Sequence, residues 1–214
     1  MILLVGMMVT AAASSRATLS GASRHNVREW HFRVLLDGKP IGEHDFVVTQ
    51  QPADIEVETR AHFRVKALFV TAYRYDHQDQ EIWRADCLVQ MNADTDDNGR
   101  KLSVQGRLSG DSFEVHTLQG AKTLPACVRS FAYWDSSFLK SHSLLNAQTG
   151  QYEKVVVFDD GFETTHVDRR VVNAQHYSLR SAEFKIDLWY SPSGRWLALE
   201  SHLKNGRTLR YELH

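Results

Sequence analysis

The chain has 214 residues, 43% of them hydrophobic, and its 25 Lys and Arg against 26 Asp and Glu leave a formal net charge of −1. That apolar fraction excludes a disordered chain, and the length suits one soluble domain. The charge balance lacks the surplus of Lys and Arg that nucleic acid or an anionic membrane surface would demand, so neither is an expected partner.

Ile2 to Val9 form an apolar stretch followed by the small residues Ala11, Ala12, Ala13, Ser14, Ser15 and Ala17. The stretch is too short to span a bilayer and resembles an export signal, although no Lys or Arg precedes it. The expectation is a signal peptide over residues 1–17, cleaved somewhere in 13–22, and a single β domain over 18–214 that is periplasmic or secreted. The alternative is a buried N-terminal element. No cysteine follows the small-residue region and no later segment is apolar enough for a transmembrane helix, so no stable membrane anchor is expected. Cys87 and Cys127 would share an oxidising compartment, which permits one disulfide; a buried free thiol at Cys87 is the other reading.

Along the chain, Trp30, Phe32, Val34 and Leu36 alternate with His31 and Arg33, and the run ends at Asp37-Gly38. Residues 55–66 give the clearest strand, with Ile55, Val57, Thr59, Ala61, Phe63 and Val65 set against Glu56, Glu58, Arg60, His62, Arg64 and Lys66. A period of two sustained this long belongs to a strand. A third run sets Trp83, Ala85, Cys87, Val89 and Met91 against Arg84, Asp86 and Gln90; Leu102, Val104 and Leu108 follow. Phe184, Ile186, Leu188 and Tyr190 later alternate with Lys185 and Asp187. Seven of the 12 glycines fall in turn-forming dipeptides: Asp37-Gly38, Asn98-Gly99, Ser109-Gly110, Thr149-Gly150, Asp160-Gly161, Ser193-Gly194 and Asn205-Gly206. Such dipeptides between β-branched and aromatic runs predict hairpins. About a dozen strands joined this way predict an all-β, antiparallel up-and-down barrel or strongly curved half-barrel.

One stretch breaks the alternation. Near 126–146 the sequence carries Phe131, Tyr133, Trp134, Phe138 and Leu139 at spacings that suit a short helix or ordered loop, punctuated by Pro125 and the Ser136-Ser137 pair. This insertion is expected either to plug the core or to cover a cavity.

The block from Trp30 to Phe46, with Asp37-Gly38-Lys39-Pro40-Ile41-Gly42 inside it, and the block from Phe131 to Tyr152, with Tyr133-Trp134-Asp135, resemble an uncharacterised family of exported bacterial β-rich proteins known only as a domain of unknown function. The resemblance implies a secreted antiparallel β-fold and carries no catalytic residues with it.

Local motifs for chemistry are sparse. Asp94-Thr95-Asp96-Asp97-Asn98-Gly99 matches half of a calcium loop, but Gln105 stands where a bidentate carboxylate belongs, so an Asn-Gly hairpin turn is the preferred reading. The 11 histidines include no pair at His-x-His or His-x-x-x-His spacing. His31, His62 and His176 read as polar-face residues, and no metal is assigned. Glu56 and Glu58 share their face with Arg60 and Arg64, which favours ion pairing over acid–base work. There is no Gly-x-Ser-x-Gly elbow, no catalytic cysteine signature and no phosphate loop, so the balance leans away from an enzyme and no cofactor is expected. The reading that remains is a monomer binding an apolar or lipid-like small molecule, with Phe131, Tyr133, Trp134, Phe138 and Leu139 as its candidate contacts. An enzyme whose residues converge only in three dimensions and an outer-membrane barrel are the alternatives.

Overall fold

The computed structural model describes residues 26–67, 70–203 and 205–214, so the expected signal segment lies outside the described residues. The first eight strands follow one another closely: β1 (Asn26–Leu36), β2 (Lys39–Gln50), β3 (Ile55–Ala67), β4 (Val70–Arg84), β5 (Cys87–Asp97), β6 (Arg100–Ser109), β7 (Ser112–Thr117) and β8 (Gly120–Pro125). A connector over 126–155 then carries a 3-10 helix (Ser136–Lys140) and two short paired strands, β9 (Ser143–Leu145) and β10 (Tyr152–Lys154). The chain finishes with β11 (Val156–Val167), β12 (Arg170–Arg180), β13 (Lys185–Tyr190), β14 (Trp196–His202) and β15 (Thr208–Leu213). Thirteen strands form one antiparallel sheet in the order β11-β12-β13-β14-β15-β1-β2-β3-β4-β5-β6-β7-β8. Its one non-sequential pairing joins β15 to β1, with Phe32 opposite Leu213 and Val34 opposite Tyr211.

The up-and-down antiparallel order is therefore as the alternation predicts, but the barrel or strongly curved half-barrel is not. The sheet is open, and its edge strands β8 and β11 do not pair with each other. The connector joining these edges explains how an open sheet still buries its apolar face. It lays Val128, Ala132, Trp134, Phe138, Leu144, Leu145 and Val155 into the same core as Trp30, Phe32, Phe46, Met91, Phe113, Leu179, Leu188 and Trp196 from the sheet. A covering layer thus does what closure would otherwise do. The sheet of the described residues is thus not the closed barrel that the outer-membrane alternative called for.

The connector is tied down at several points. Cys87 and Cys127 are bridged across 40 residues. Beside that bridge the Leu88 amide donates to the Val128 carbonyl at 2.9 Å, and Arg129 pairs with Asp86 at 2.8 Å. Asp135 caps the 3-10 helix through the Ser137 amide at 3.0 Å.

Two local expectations need correction. The run 83–91 is not one strand, because a turn at Ala85-Asp86 separates β4 from β5 and Ala85 takes a positive φ of 51°. Asp160-Gly161 is not a turn either: it lies within β11, where the register against β12 shifts between Asp159 and Gly161, a bulge. Asn98-Gly99 does form the β5–β6 turn, with φ of 53° and 95°. In β13 the alternation fades because both faces are covered. Ile186, Leu188 and Tyr190 join the main core, while Trp189 packs with Val167, Ala174 and Ala198 in a smaller cluster.

Candidate binding site

In β4 the odd-numbered residues from 75 to 83 share one face, as residues two apart in a strand must. That face is Tyr75, His77, Asp79, Glu81 and Trp83, a polar stripe set against an otherwise apolar core. Beside it, β3 contributes Val57 and Thr59, and β2 contributes His44 and Phe46. Gly42 lets β2 approach β3 closely: a Cβ there would come within 1.9 Å of the His62 carbonyl oxygen. From above, the connector brings Ser130, Phe131, Ala132, Tyr133, Trp134, Asn146, Ala147 and Gln148, and the far wing brings Phe184, Ile186 and Ser201. Together these residues enclose a cavity of about 350 Å³.

The polar groups of this cavity are unusual in what they lack. Glu81 accepts the Trp83 indole N–H at 2.7 Å, and Asp79 and Ser130 line the same cavity. Burial, then the neighbouring Glu81, pushes the Asp79 carboxyl well above the usual carboxylate range. Burial raises Glu81 as well, against the neighbouring Ser130, Trp83 and Asp79, which favour its charged form. The other oxygen of Asp79, Oδ1, is buried without a partner, and so are both ring nitrogens of His44 and the Trp134 Nε1. Burial, assisted by His77, pushes His44 down to about 3, and burial takes His77 down to about 4, so both imidazoles are neutral. His77 Nδ1 is 2.8 Å from Thr95 Oγ1. No Lys or Arg lines the cavity. Chemically, the pair can hold and pass a single proton.

A second, larger hollow of about 650 Å³ adjoins the first. Leu36, Ile41, Phe63, Val65, Ala72, Tyr73, Leu203, Leu209 and Tyr211 line it, with Asn205 and Arg207 as its polar members, and Tyr75 and Gln148 line both spaces. The Tyr75 hydroxyl donates to Gln148 Oε1 at 3.2 Å. That single bond therefore lies where an apolar space and a polar one meet.

The residues proposed as contacts from sequence divide between these places. Phe131, Tyr133 and Trp134 line the polar cavity. Tyr133 stacks obliquely on Trp196 at 5.1 Å and its carbonyl accepts the Tyr190 hydroxyl at 2.9 Å, while Trp134 meets Trp83 edge-on at 5.8 Å. Phe138 is buried in the core, and Leu139 lines a separate surface hollow with Tyr177 and Val157.

Sequence reasoning missed His44, His77, Asp79 and Glu81. Between 73 and 82 both faces of β4 carry polar residues, so polarity alone does not say which side is in. The aromatic rings do: Tyr73, Tyr75 and Trp83 share the parity of His77, Asp79 and Glu81. His31 and His62 do lie outward, at 2.9 Å from Asp45 and 2.6 Å from Asp76, and Glu58 pairs with Arg60 at 3.5 Å. At the half-matched calcium loop, Asp96 is already occupied by Lys101 at 2.8 Å, the Gly99 amide at 2.7 Å and Arg74 at 2.7 Å, which hold its carboxyl down to about 2. Among the described residues no group of three His, Cys, Asp or Glu is placed to hold a metal ion.

Sheet, connector and cavity define an antiparallel β-protein with a covered internal site. Residues 32–214 match the family described as a domain of unknown function, DUF6134, and the chain belongs to that family. The uncharacterised β-rich family implied by the Trp30–Phe46 and Phe131–Tyr152 blocks is thereby borne out. The chain is also similar to a solved structure described as a beta-barrel-like protein of domain of unknown function DUF1849 from Brucella abortus. The TM-score is 0.64 at 10% identity, over 87% of this chain and 94% of that one. An identity that low shows a shared fold alone. No curated protein matches. Among the described residues no helix is long and apolar enough to cross a membrane.

Proposed function

We propose that the protein is an exported, periplasmic or secreted, binder of an apolar or amphipathic small molecule. The observation that carries this reading is the 650 Å³ hollow walled by Leu36, Ile41, Phe63, Val65, Leu209 and Tyr211. A preformed apolar space of this size falls within the range of small-molecule sites. The Cys87–Cys127 bridge and the apolar N-terminal stretch support the oxidising address. In this reading the ligand's apolar part lies in the hollow and its other end points past Tyr75 and Gln148 toward the connector, where Phe131, Tyr133 and Trp134 provide rigid contacts.

Each buried methylene contributes about 0.8 kcal/mol, so lengthening an alkyl ligand by two carbons should tighten binding roughly tenfold until the hollow is full. Titration calorimetry over a homologous series measures this. Leu209→Trp, which fills the hollow with an indole while keeping it apolar, should weaken binding of the longer members at least tenfold at an unchanged melting temperature. Affinity independent of chain length, or equal in the variant, would set the reading aside.

A further inference from the structure

The cavity under the connector differs from the apolar hollow in its chemistry. Asp79 and Glu81 form a carboxyl pair with no cationic side chain lining the space around it. Asp79 retains only 4% of its exposure, and its Oδ1 has no partner. Burying two carboxyls without a counter-charge makes their ionisation costly, and a positive group brought in from outside would offset that cost. The walls fit the same group. Phe46, Tyr75, Phe131, Tyr133, Trp134 and Phe184 surround the cavity, and aromatic faces attract alkylammonium ions through their quadrupoles. His44 and His77, the remaining titratable side chains besides Tyr75 and Tyr133 that line the space, are neutral and do not compete for the pair.

We propose that this cavity is an organic-cation site, and that the ligand is an alkylamine or alkylammonium amphiphile whose head sits between the aromatic walls and the Asp79–Glu81 pair. The tail lies in the adjoining hollow, past Tyr75 and Gln148, and in this respect the inference rests on the apolar-ligand reading. A phosphate or carboxylate head is disfavoured, because it would bring like charge to the pair and meet no Lys or Arg in the cavity. A cation beside the pair favours its ionised form, so binding of the cation releases proton to solvent.

Three probes of equal chain length distinguish the two readings: dodecyltrimethylammonium, dodecanol and dodecanoate, each titrated by calorimetry below its micelle concentration into the disulfide-intact protein. The expected order at pH 7 is ammonium at least tenfold tighter than alcohol, and alcohol tighter than carboxylate. Glu81→Gln should abolish the advantage of the ammonium, read as the ratio of its affinity to that of dodecanol in the same variant. The unaltered protein gives an independent readout should that variant fail to fold: the ammonium's binding enthalpy should change with the ionisation heat of the buffer, and dodecanol's should not. Equal affinity for all three chains, or a buffer-independent enthalpy for the ammonium, would overturn the cation site and leave the apolar reading standing. Binding of none of them would overturn both.

Discussion

Burial of His44 gives the cavity a testable electrostatic signature. Its folded-state value of about 3 lies below the ordinary 6.5, so the folded protein excludes a proton that the unfolded chain accepts. The stability this represents is present above pH 6.5 and is lost as the pH falls toward 3. His77, taken down to about 4, acts in the same direction. Asp79 acts in the opposite one: its raised carboxyl favours the fold below the ordinary carboxylate range and loses that advantage as the pH rises. A variant at His44 isolates one contribution, because the others are common to both proteins. His44→Phe keeps a ring that stacks on Phe46, now 4.3 Å away, and adjoins Phe63 and Tyr211. Relative to the parent it should gain up to about 3 kcal/mol between pH 6.5 and pH 4, at 1.36 kcal/mol per pH unit. Urea unfolding at several pH values measures the difference, and a pH-independent one would contradict the burial of a neutral imidazole.

The connector is the element on which the site depends. It supplies a wall of the polar cavity, and its first residues are fixed to the β4–β5 turn by the disulfide and by the Leu88–Val128 hydrogen bond. Closing a loop of 40 residues restrains the unfolded chain by about 4 kcal/mol on the chain-entropy account. Replacing both cysteines with alanine should therefore lower stability by about 2–5 kcal/mol. It should also quench or shift the fluorescence of Trp134 more than that of Trp196, which lies in the core beneath Phe32. Unfolding curves and single-tryptophan spectra test this, and an unchanged stability would mean that the bridge does not restrain the connector. The elements differ in how far their identity is legible in the sequence. Strand identity was legible wherever one face was wet, as in β3, where Val57, Thr59, Ala61 and Phe63 turn inward against outward charges. It failed at Ala85-Asp86, where the turn has no glycine; in β13 the strand was legible, but not that its second face, with Trp189, is covered too. The insertion was legible as a break in alternation, but the polar stripe it covers was not, because β4 is polar on both sides.

Across the whole molecule, the strand order runs around from β11 through β15 and β1 to β8 and stops short of closure, with the connector spanning the two edges. Pairing of the first and last described strands, β1 with β15, places the two ends of the chain's meander at the centre of the sheet. First-to-last pairing is what an up-and-down barrel predicts, so the departure lies at the connector, where β8 and β11 stay unpaired and no local pattern announces it. The open sheet, the apolar hollow beside β15 and the polar cavity under the connector are one arrangement. Val34 and Phe63 wall the region where Tyr75 and Tyr211 also meet. In the proposed function an amphipathic small molecule occupies this interior in use. Native mass spectrometry tests it most directly, on protein exported to a bacterial periplasm, purified without detergent and then extracted with organic solvent. A discrete bound mass, released by extraction and absent from Leu209→Trp, is the predicted result. A folded protein of apo mass that takes up no alkyl ligand when one is supplied would contradict it.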